Sequence, residues 1–285
     1  MIKGKKVIAN FFWNKSEISI YEYAFLNSFI KNNFQVNVYS FDQIMLPKGA
    51  KLMDASLILK KNEMKKFIHE GIKSCPAAFA DKFRIELMKL NNGWWFDMDI
   101  LCLKKSSEFK KLEKNKIIAG LETDNFVNNA VLKITDNDFL EILHKEILRK
   151  GYIIRWGDIG PNLITRLMKK EGKFLNAMKK QYFYPINYEN FNYVLLPRYY
   201  KKAKKLCDKS FTVHNYNQIL NRFGIPKNIL PPKGSYLYEK FIKYSPELKM
   251  LQSLPENTIE RLLNKKNGFK ENLKDLFPSL IRSFR

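Results

Sequence analysis

The sequence predicts an α/β fold. Three observations carry the prediction: an opening strand–helix–strand unit, a second amphipathic helix that runs through a short turn into an aromatic strand, and enough apolar residues for a core. Of 285 residues, 45% are hydrophobic, which suits one large α/β domain or two small ones.

Residues 7–12 read as a first buried strand, with Trp13-Asn14 directly after it. Across residues 18–31, Tyr21, Ala24, Phe25 and Phe29 recur at helical spacing. Residues 35–40 alternate as a second strand. That order makes a βαβ unit, whose ligands are expected beyond the carboxyl ends of the strands. Pro76 suits the first position of the next helix. Phe79, Phe83, Leu87 and Leu90 mark its apolar face. Asp81 and Arg84, three residues apart, share a stripe of it. Asn91-Asn92-Gly93 stops the helix with residues that tolerate left-handed backbone. Residues 94–103 then read as one strand with Asp97 and Asp99 in its middle.

Further strands are expected at 116–120 and 211–215, the latter ending around His214, and further helices at 139–149 and 162–170. Residues 154–161 read as a loop, and 182–194 as a stretch rich in Tyr, Asn and Phe. After Pro231-Pro232 the composition changes, so the expected division is 1–239 for the main domain and 240–285 for a basic helical C-terminal extension. In that extension Leu273, Leu276, Phe277, Leu280, Ile281 and Phe284 form an apolar stripe beside basic residues. It suits either an anionic membrane surface or packing on the core.

Alternate side chains of an extended chain point the same way, so Asp97 and Asp99 are expected to share a face. Two adjacent carboxylates repel unless one is protonated or a cation lies between them. Hard oxygens suit Mg2+ or Mn2+, with positions left for phosphate oxygens, and such an ion neutralises charge on a leaving group. An Asp-x-Asp alone is common on exposed loops, so its context decides.

Three widely spaced cysteines without a Cys-x-x-Cys argue against a zinc site or a disulfide framework. The apolar part of residues 1–10 is too short for a signal-peptide core. No apolar run approaches the roughly 18 residues of a membrane span. The expectation is a cytoplasmic protein. The net charge of +23 fits an anionic partner or AT-rich coding. It sets affinity for phosphate without setting identity.

Ala80-Asp81-Lys82-Phe83-Arg84, then Leu87-Met88-Lys89-Leu90, then Asn92-Gly93-Trp94-Trp95-Phe96-Asp97-Met98-Asp99, resemble the signature of glycosyltransferase family 32. They are also similar to the sugar-transferring domain of large clostridial glucosylating toxins. The resemblance implies a GT-A type nucleotide-sugar-binding domain, a Rossmann-like mixed sheet flanked by helices. It also implies Mn2+ or Mg2+ and retention of anomeric configuration. By the same resemblance, Asp81 contacts donor sugar hydroxyls and Arg84 reaches the sugar or phosphate. Asp97 lies on the ribose and metal side, and Asp99 ligates the metal directly. Trp13 stacks on the base, and Asn129, within Asn128-Asn129-Ala130, faces the donor sugar. Asn92 stands where a second glycine is usual, and Phe96 where tyrosine is commoner.

Residues 156–165 contain Gly160-Pro161 and Thr165. They are similar to the Gly-Pro-x-x-x-Thr stretch of the α1,4-galactosyltransferase branch, with Asp158 directed at the acceptor or the sugar. Val213-His214-Asn215, followed by Tyr216, resembles that branch's Val-His-x-Trp and makes His214 a third metal ligand or a diphosphate contact.

The expected function is retaining transfer of a hexose (galactose, glucose or N-acetylhexosamine) from a UDP-sugar to a lipopolysaccharide or capsule precursor. The enzyme would work at the inner face of the cytoplasmic membrane, on a glycan or lipid-linked glycan, with no nucleic-acid partner. A toxin-like transferase acting on protein is the alternative within the class. A basic nucleic-acid-binding protein would explain the charge but not the ordered acidic set. No residue stands out as nucleophile or base.

Overall fold

A computed structural model describes residues 6–69, 72–90 and 93–264. The strands are β1 (Ile8–Phe12), β2 (Gln35–Ser40), β3 (Ala50–Asp54), β4 (Ile68–His69), β5 (Ile72–Lys73) and β6 (Trp94–Phe96). They continue with β7 (Ile100–Cys102), β8 (Ile117–Thr123), β9 (Phe126–Ile134), β10 (Ile153–Ile154) and β11 (Thr212–His214). The helices are α1 (Ile20–Lys31), α2 (Lys61–Met64), α3 (Pro76–Lys89), α4 (Ser106–Leu112), α5 (Asn137–Lys150) and α6 (Pro161–Lys170). After them come α7 (Lys180–Phe183), α8 (Tyr200–Cys207), α9 (Asn217–Arg222), α10 (Tyr236–Tyr244) and α11 (Glu256–Asn264).

The main sheet is mixed and six-stranded, in the order β3-β2-β1-β6-β9-β8. The first four strands run parallel, and β9 and β8 pair antiparallel. Its two faces follow from side-chain alternation. Trp95 packs with Phe83, Leu132, Leu143 and Leu163 under α3, α5 and α6. Trp94 and Phe96 pack on the opposite face with Phe11, Phe29 and Phe109. Phe29 and Phe96 meet at a centroid distance of 4.5 Å.

α1 begins at Ser19, whose hydroxyl accepts from Tyr21 N–H while Glu22 accepts from Ser19 N–H, a reciprocal capping box. Its outer side carries a third apolar cluster, in which Phe25, Leu101, Leu220 and Phe241 are buried together. α10 spans the expected division at 239/240, with Leu237 and Tyr238 on one side and Phe241 and Tyr244 on the other, all in that cluster. The apolar stripe from Leu273 to Phe284 lies outside the described residues, as do Asn91 and Asn92.

Two expectations change. The single strand over 94–103 is two strands, because the chain turns at Met98-Asp99 and Ile100 N–H returns to Asp97 O at 3.1 Å. β7 leaves the main sheet and pairs with β11 instead. Leu90, expected on the apolar face of α3, is 60% exposed, since it caps the helix beyond its last turn. The asparagine pair at 128–129, followed by Ala130, belongs to β9, a central strand that local pattern did not reveal.

Gly93 enters β6 at φ +93°, and a Cβ there would meet Ile8 O and Ile8 Cβ at 2.7 Å. Gly93→Ala is therefore expected to cost about 2–4 kcal/mol from backbone strain plus overpacking. Urea unfolding measures it, and a loss under ~0.5 kcal/mol would contradict the close approach of β1 and β6.

Candidate functional site

β1 has β2 on one side and β6 on the other, all parallel, so the strand order reverses at this point. The crevice beyond the carboxyl ends of such neighbouring strands is where open α/β sheets bind ligands. Trp13 and Asp97 are the residues immediately after β1 and β6. Trp13 is half-buried, held by its backbone N–H to Tyr39 O (2.9 Å) and its indole N–H to Glu17 O (2.8 Å). The ammonium groups of Lys15 and Lys227 lie 5.7 and 5.9 Å from its ring centre, within cation–π reach.

Arg84 is the hub of the acidic group. Its side chain is 4% exposed, with Nη2 at 3.2 Å from Asp81 Oδ1 and 3.3 Å from Asp97 Oδ1. Nη1 donates to Asn129 O at 2.6 Å, and the guanidinium lies over the Trp95 ring at 4.9 Å. Trp95 also donates its indole N–H to Asp97 Oδ1 at 2.7 Å, and Asn129 donates its amide to Asp81 Oδ1 at 2.9 Å. Burial raises the pKa of Asp81 above the usual carboxylate value, against the opposing pull of Arg84 and Asn129. A helix, a strand end and a central strand thus meet around one permanent cation.

Asp99 is held differently. Asn215 N–H donates to Asp99 O at 2.9 Å and Asn217 N–H to Asp99 Oδ2 at 2.8 Å. Tyr216, in left-handed backbone at φ 50°, allows the chain to wrap over the carboxylate between those two residues. The β7–β11 register sets Ile100 opposite His214, and His214 Nε2 lies 3.2 Å from Asp99 Oδ1. Burial pushes the Asp99 pKa up, but the His214 charge and hydrogen bond and the Asn217 N–H outweigh it and hold it below its ordinary value. Burial pulls His214 down, and the charge and hydrogen bond of Asp99, with the charges of Asp97 and Glu122, overcome that pull and raise it. One ligand atom from each of Asp97, Asp99 and His214 lies within 4.8 Å of the others. Two hard carboxylates and one imidazole at that spacing fit Mn2+ or Mg2+, with coordination positions left for other oxygens.

Asp81, Arg84, Asp97 and Asn129 therefore converge, as do Asp97, Asp99 and His214. Asp158 does not join them. Its carboxylate accepts from Arg155 N–H at 2.9 Å and pairs with Lys150 at 2.8 Å. The same stretch reaches the acidic group through Gly160 instead, where an added Cβ would collide with the Asp81 carboxylate.

Four participants are not apparent from the sequence. Lys227 Nζ, beside Trp13, pairs with the fully buried Glu22 at 2.5 Å, and Glu22 also accepts from the Asn217 amide at 2.7 Å. The Ser19-to-Glu22 spacing signals a helix cap, but nothing local signals the second use of Glu22. Lys227 is one of 51 basic residues, without a pattern to mark it. Glu122, 8% exposed in β8, accepts from the Asn128 amide at 3.0 Å and adds its charge to the surroundings of His214.

Residues 150–231 match the family model described as the alpha 1,4-glycosyltransferase conserved region. Gly160, His214, Asn217 and Lys227 fall within the matched residues. No curated protein sequence matches the chain. Among solved structures it is similar to the apo form of the bifunctional glycosyltransferase WbbM, with 12% identity, TM-score 0.48, and cover of 92% of this chain and 52% of that one. It is similar to the apo form of the glycosyltransferase GlyE from Streptococcus pneumoniae, with 14% identity, TM-score 0.49, and cover of 92% and 64%. It is also similar to the galactosyltransferase LgtC in complex with donor and acceptor sugar analogs, with 12% identity, TM-score 0.41, and cover of 88% and 98%. The chain spans about half the length of the first of these.

Arg84→Ala removes the cation between two carboxylates and is expected to cost about 3–5 kcal/mol. Adding Asp81→Asn should recover part of that loss, and a double-mutant cycle that shows strict additivity would sink the hub. A second outcome concerns protons. In the metal-free protein His214 has a raised pKa, so its pairing stabilises fully below the ordinary imidazole value and fades as pH rises through the raised one. A cation must displace that proton. Stabilisation by Mn2+, read as a thermal shift, should therefore grow from pH 6 to pH 8, and a flat or falling profile would contradict His214 as a ligand.

Proposed function

We propose that this chain, which carries the alpha 1,4-glycosyltransferase conserved region, moves a hexose from a UDP-sugar to a glycan acceptor with retention of configuration. The observation that supports the reading most is the meeting of Asp97, Asp99 and His214 within 4.8 Å, beside the Arg84 group and at the reversal of strand order. In this reading a divalent ion held by Asp97, Asp99 and His214 supplies Lewis-acid neutralisation of the diphosphate as it leaves.

The chain's own residues do the rest. Trp13 offers a flat half-buried face to the uracil ring, with much contact area and little base specificity. Lys227, over the same ring and paired with the buried Glu22, would meet diphosphate oxygens in this reading. Asp81 and Asn129, already hydrogen-bonded to each other, orient the sugar hydroxyls. Arg84 fixes both carboxylates so that little reorganisation is needed when the donor binds. The Gly160 backbone, pressed on Asp81, confines the sugar from the side of α6. Asp158, tied to Lys150 and Arg155, meets the acceptor only if those bonds open.

The acceptor in this reading is a surface glycan precursor, such as that of lipopolysaccharide or capsule, met at the inner face of the cytoplasmic membrane. No helix among the described residues is long and apolar enough to cross a membrane. Contact with the bilayer would then be peripheral and would involve the basic residues from 240 onward.

UDP-galactose, UDP-glucose and UDP-N-acetylglucosamine are each incubated with the protein and Mn2+, and UDP release is followed. One donor should be turned over, with EDTA abolishing release. Asp99→Ala should lower the rate by about a hundredfold or more, as the loss of several kcal/mol of charge stabilisation requires. Release by Asp99→Ala as fast as by the unmodified protein would remove the metal role. No release with any UDP- or GDP-sugar would remove the function.

A further inference from the structure

At the end of the β7–β11 ribbon remote from Asp99 and His214 lies a separate cavity of about 170 Å3. It is lined by Lys104, Lys204, Lys240, Tyr236, Cys207 and Ser210, with Leu103 and Asp208 completing the wall. Leu103 lies four residues beyond Asp99, so the cavity is roughly 13 Å along the ribbon from the acidic cluster.

Three ammonium groups on one small cavity repel one another, and something must offset them. Two local groups do so in part. Lys104 Nζ donates to Asp208 O at 3.2 Å, at the end of α8, where the helix dipole supplies roughly half a negative charge. The Asp208 side chain is exposed and supplies one more. Together these offset only part of three lysine charges. None of the three lysines forms an ion pair with a carboxylate among the described residues, whereas Lys82, Lys227 and Lys173 each do. Lys240 is half-buried over the Tyr236 ring at 5.1 Å. Burial, and then the charges of Lys243, Lys204 and Lys104, hold its pKa below the usual lysine value. The Tyr236 hydroxyl, its pKa driven far up by burial, keeps its proton and is hydrogen-bonded to Cys207. The Cys207 thiol beside it is pushed up to about 12 and stays neutral, so it adds no negative charge.

We infer that this three-lysine cavity is a binding site for a phosphate or diphosphate group, distinct from the cation-binding cluster and independent of the transferase reading. Lys104, two residues beyond β7, Lys204 in α8 and Lys240 in α10 supply the charge. The volume suits a phosphate-sized group rather than a whole nucleotide, since pockets for drug-sized ligands run from roughly 300 Å3 upward. The group arrives either free in solution or on a lipid.

The test uses the full chain in EDTA and 150 mM NaCl, so that no metal-bound diphosphate contributes. Pyrophosphate is titrated calorimetrically. The unmodified protein should bind, and the triple variant K104Q/K204Q/K240Q should bind at least roughly tenfold more weakly. A control of equal net charge, K51Q/K65Q/K170Q, replaces exposed lysines remote from the cavity and should bind like the unmodified protein. Lys204→Gln alone, at an exposed position, guards against misfolding and should weaken binding severalfold. Sedimentation with vesicles of phosphatidic acid or phosphatidylglycerol at equal mole fraction separates the sources. Preference for phosphatidic acid that is lost in the cavity triple, kept in the control and competed by pyrophosphate assigns a lipid-borne phosphate. Cavity-dependent pyrophosphate binding without that preference assigns a soluble one. No pyrophosphate binding, or equal loss in both triples, overturns the site.

Discussion

A single buried guanidinium orders most of this molecule's functional end. Arg84 comes from α3, takes two carboxylates from α3 and the end of β6, and binds the carbonyl of Asn129 in β9. It cannot lose its charge, so once the core closes around α3 the carboxylates must remain beside it. Its other face rests on Trp95, a core residue of β6. Packing and electrostatics therefore act through the same side chain, and displacing the helix relative to the sheet would break both. The cost of burying this charge is repaid only because every neighbour is aimed at it.

The second acidic residue depends on a different construction. Asp99 lies outside the main sheet, in the turn between β6 and β7, and is clasped by the backbone that follows β11. More than a hundred residues separate it from His214, yet the antiparallel ribbon brings them to 3.2 Å. A related link ties the start of α1 to the late chain, through Glu22 to Asn217 and Lys227. The candidate site is thus shared between the main mixed sheet and the segment that matches the alpha 1,4-glycosyltransferase conserved region, and neither part contains it alone.

Two anion-directed environments coexist on opposite ends of the short ribbon. In the proposed readings the acidic cluster would meet a phosphate only through a cation, whereas the lysine cavity would meet one directly. Their separation by about 13 Å means that a high overall positive charge is not spread without pattern. Part of it gathers where, among the described residues, no carboxylate forms an ion pair with it.

The α/β class, the βαβ opening, the helix from Pro76 and the late strand at His214 were legible because each rests on local periodicity or a local cap. Asp81, Arg84, Asp97 and Asn129 were legible as a group only through an ordered resemblance, and the fold brings them together around Arg84. The break at Met98-Asp99 was not legible, since an alternating apolar run reads as one strand whether or not its second half changes sheets. Nor were β3 and β9, whose pairing is decided by neighbours distant in the chain. Asp158 shows the reverse case, a residue singled out by its motif and then drawn away by Lys150 and Arg155. Short-range order in this protein is written in spacing and caps. Which carboxylate meets which cation is decided by tertiary contact, because a charge separated from its partner by a hundred residues leaves no local trace of where it will be buried.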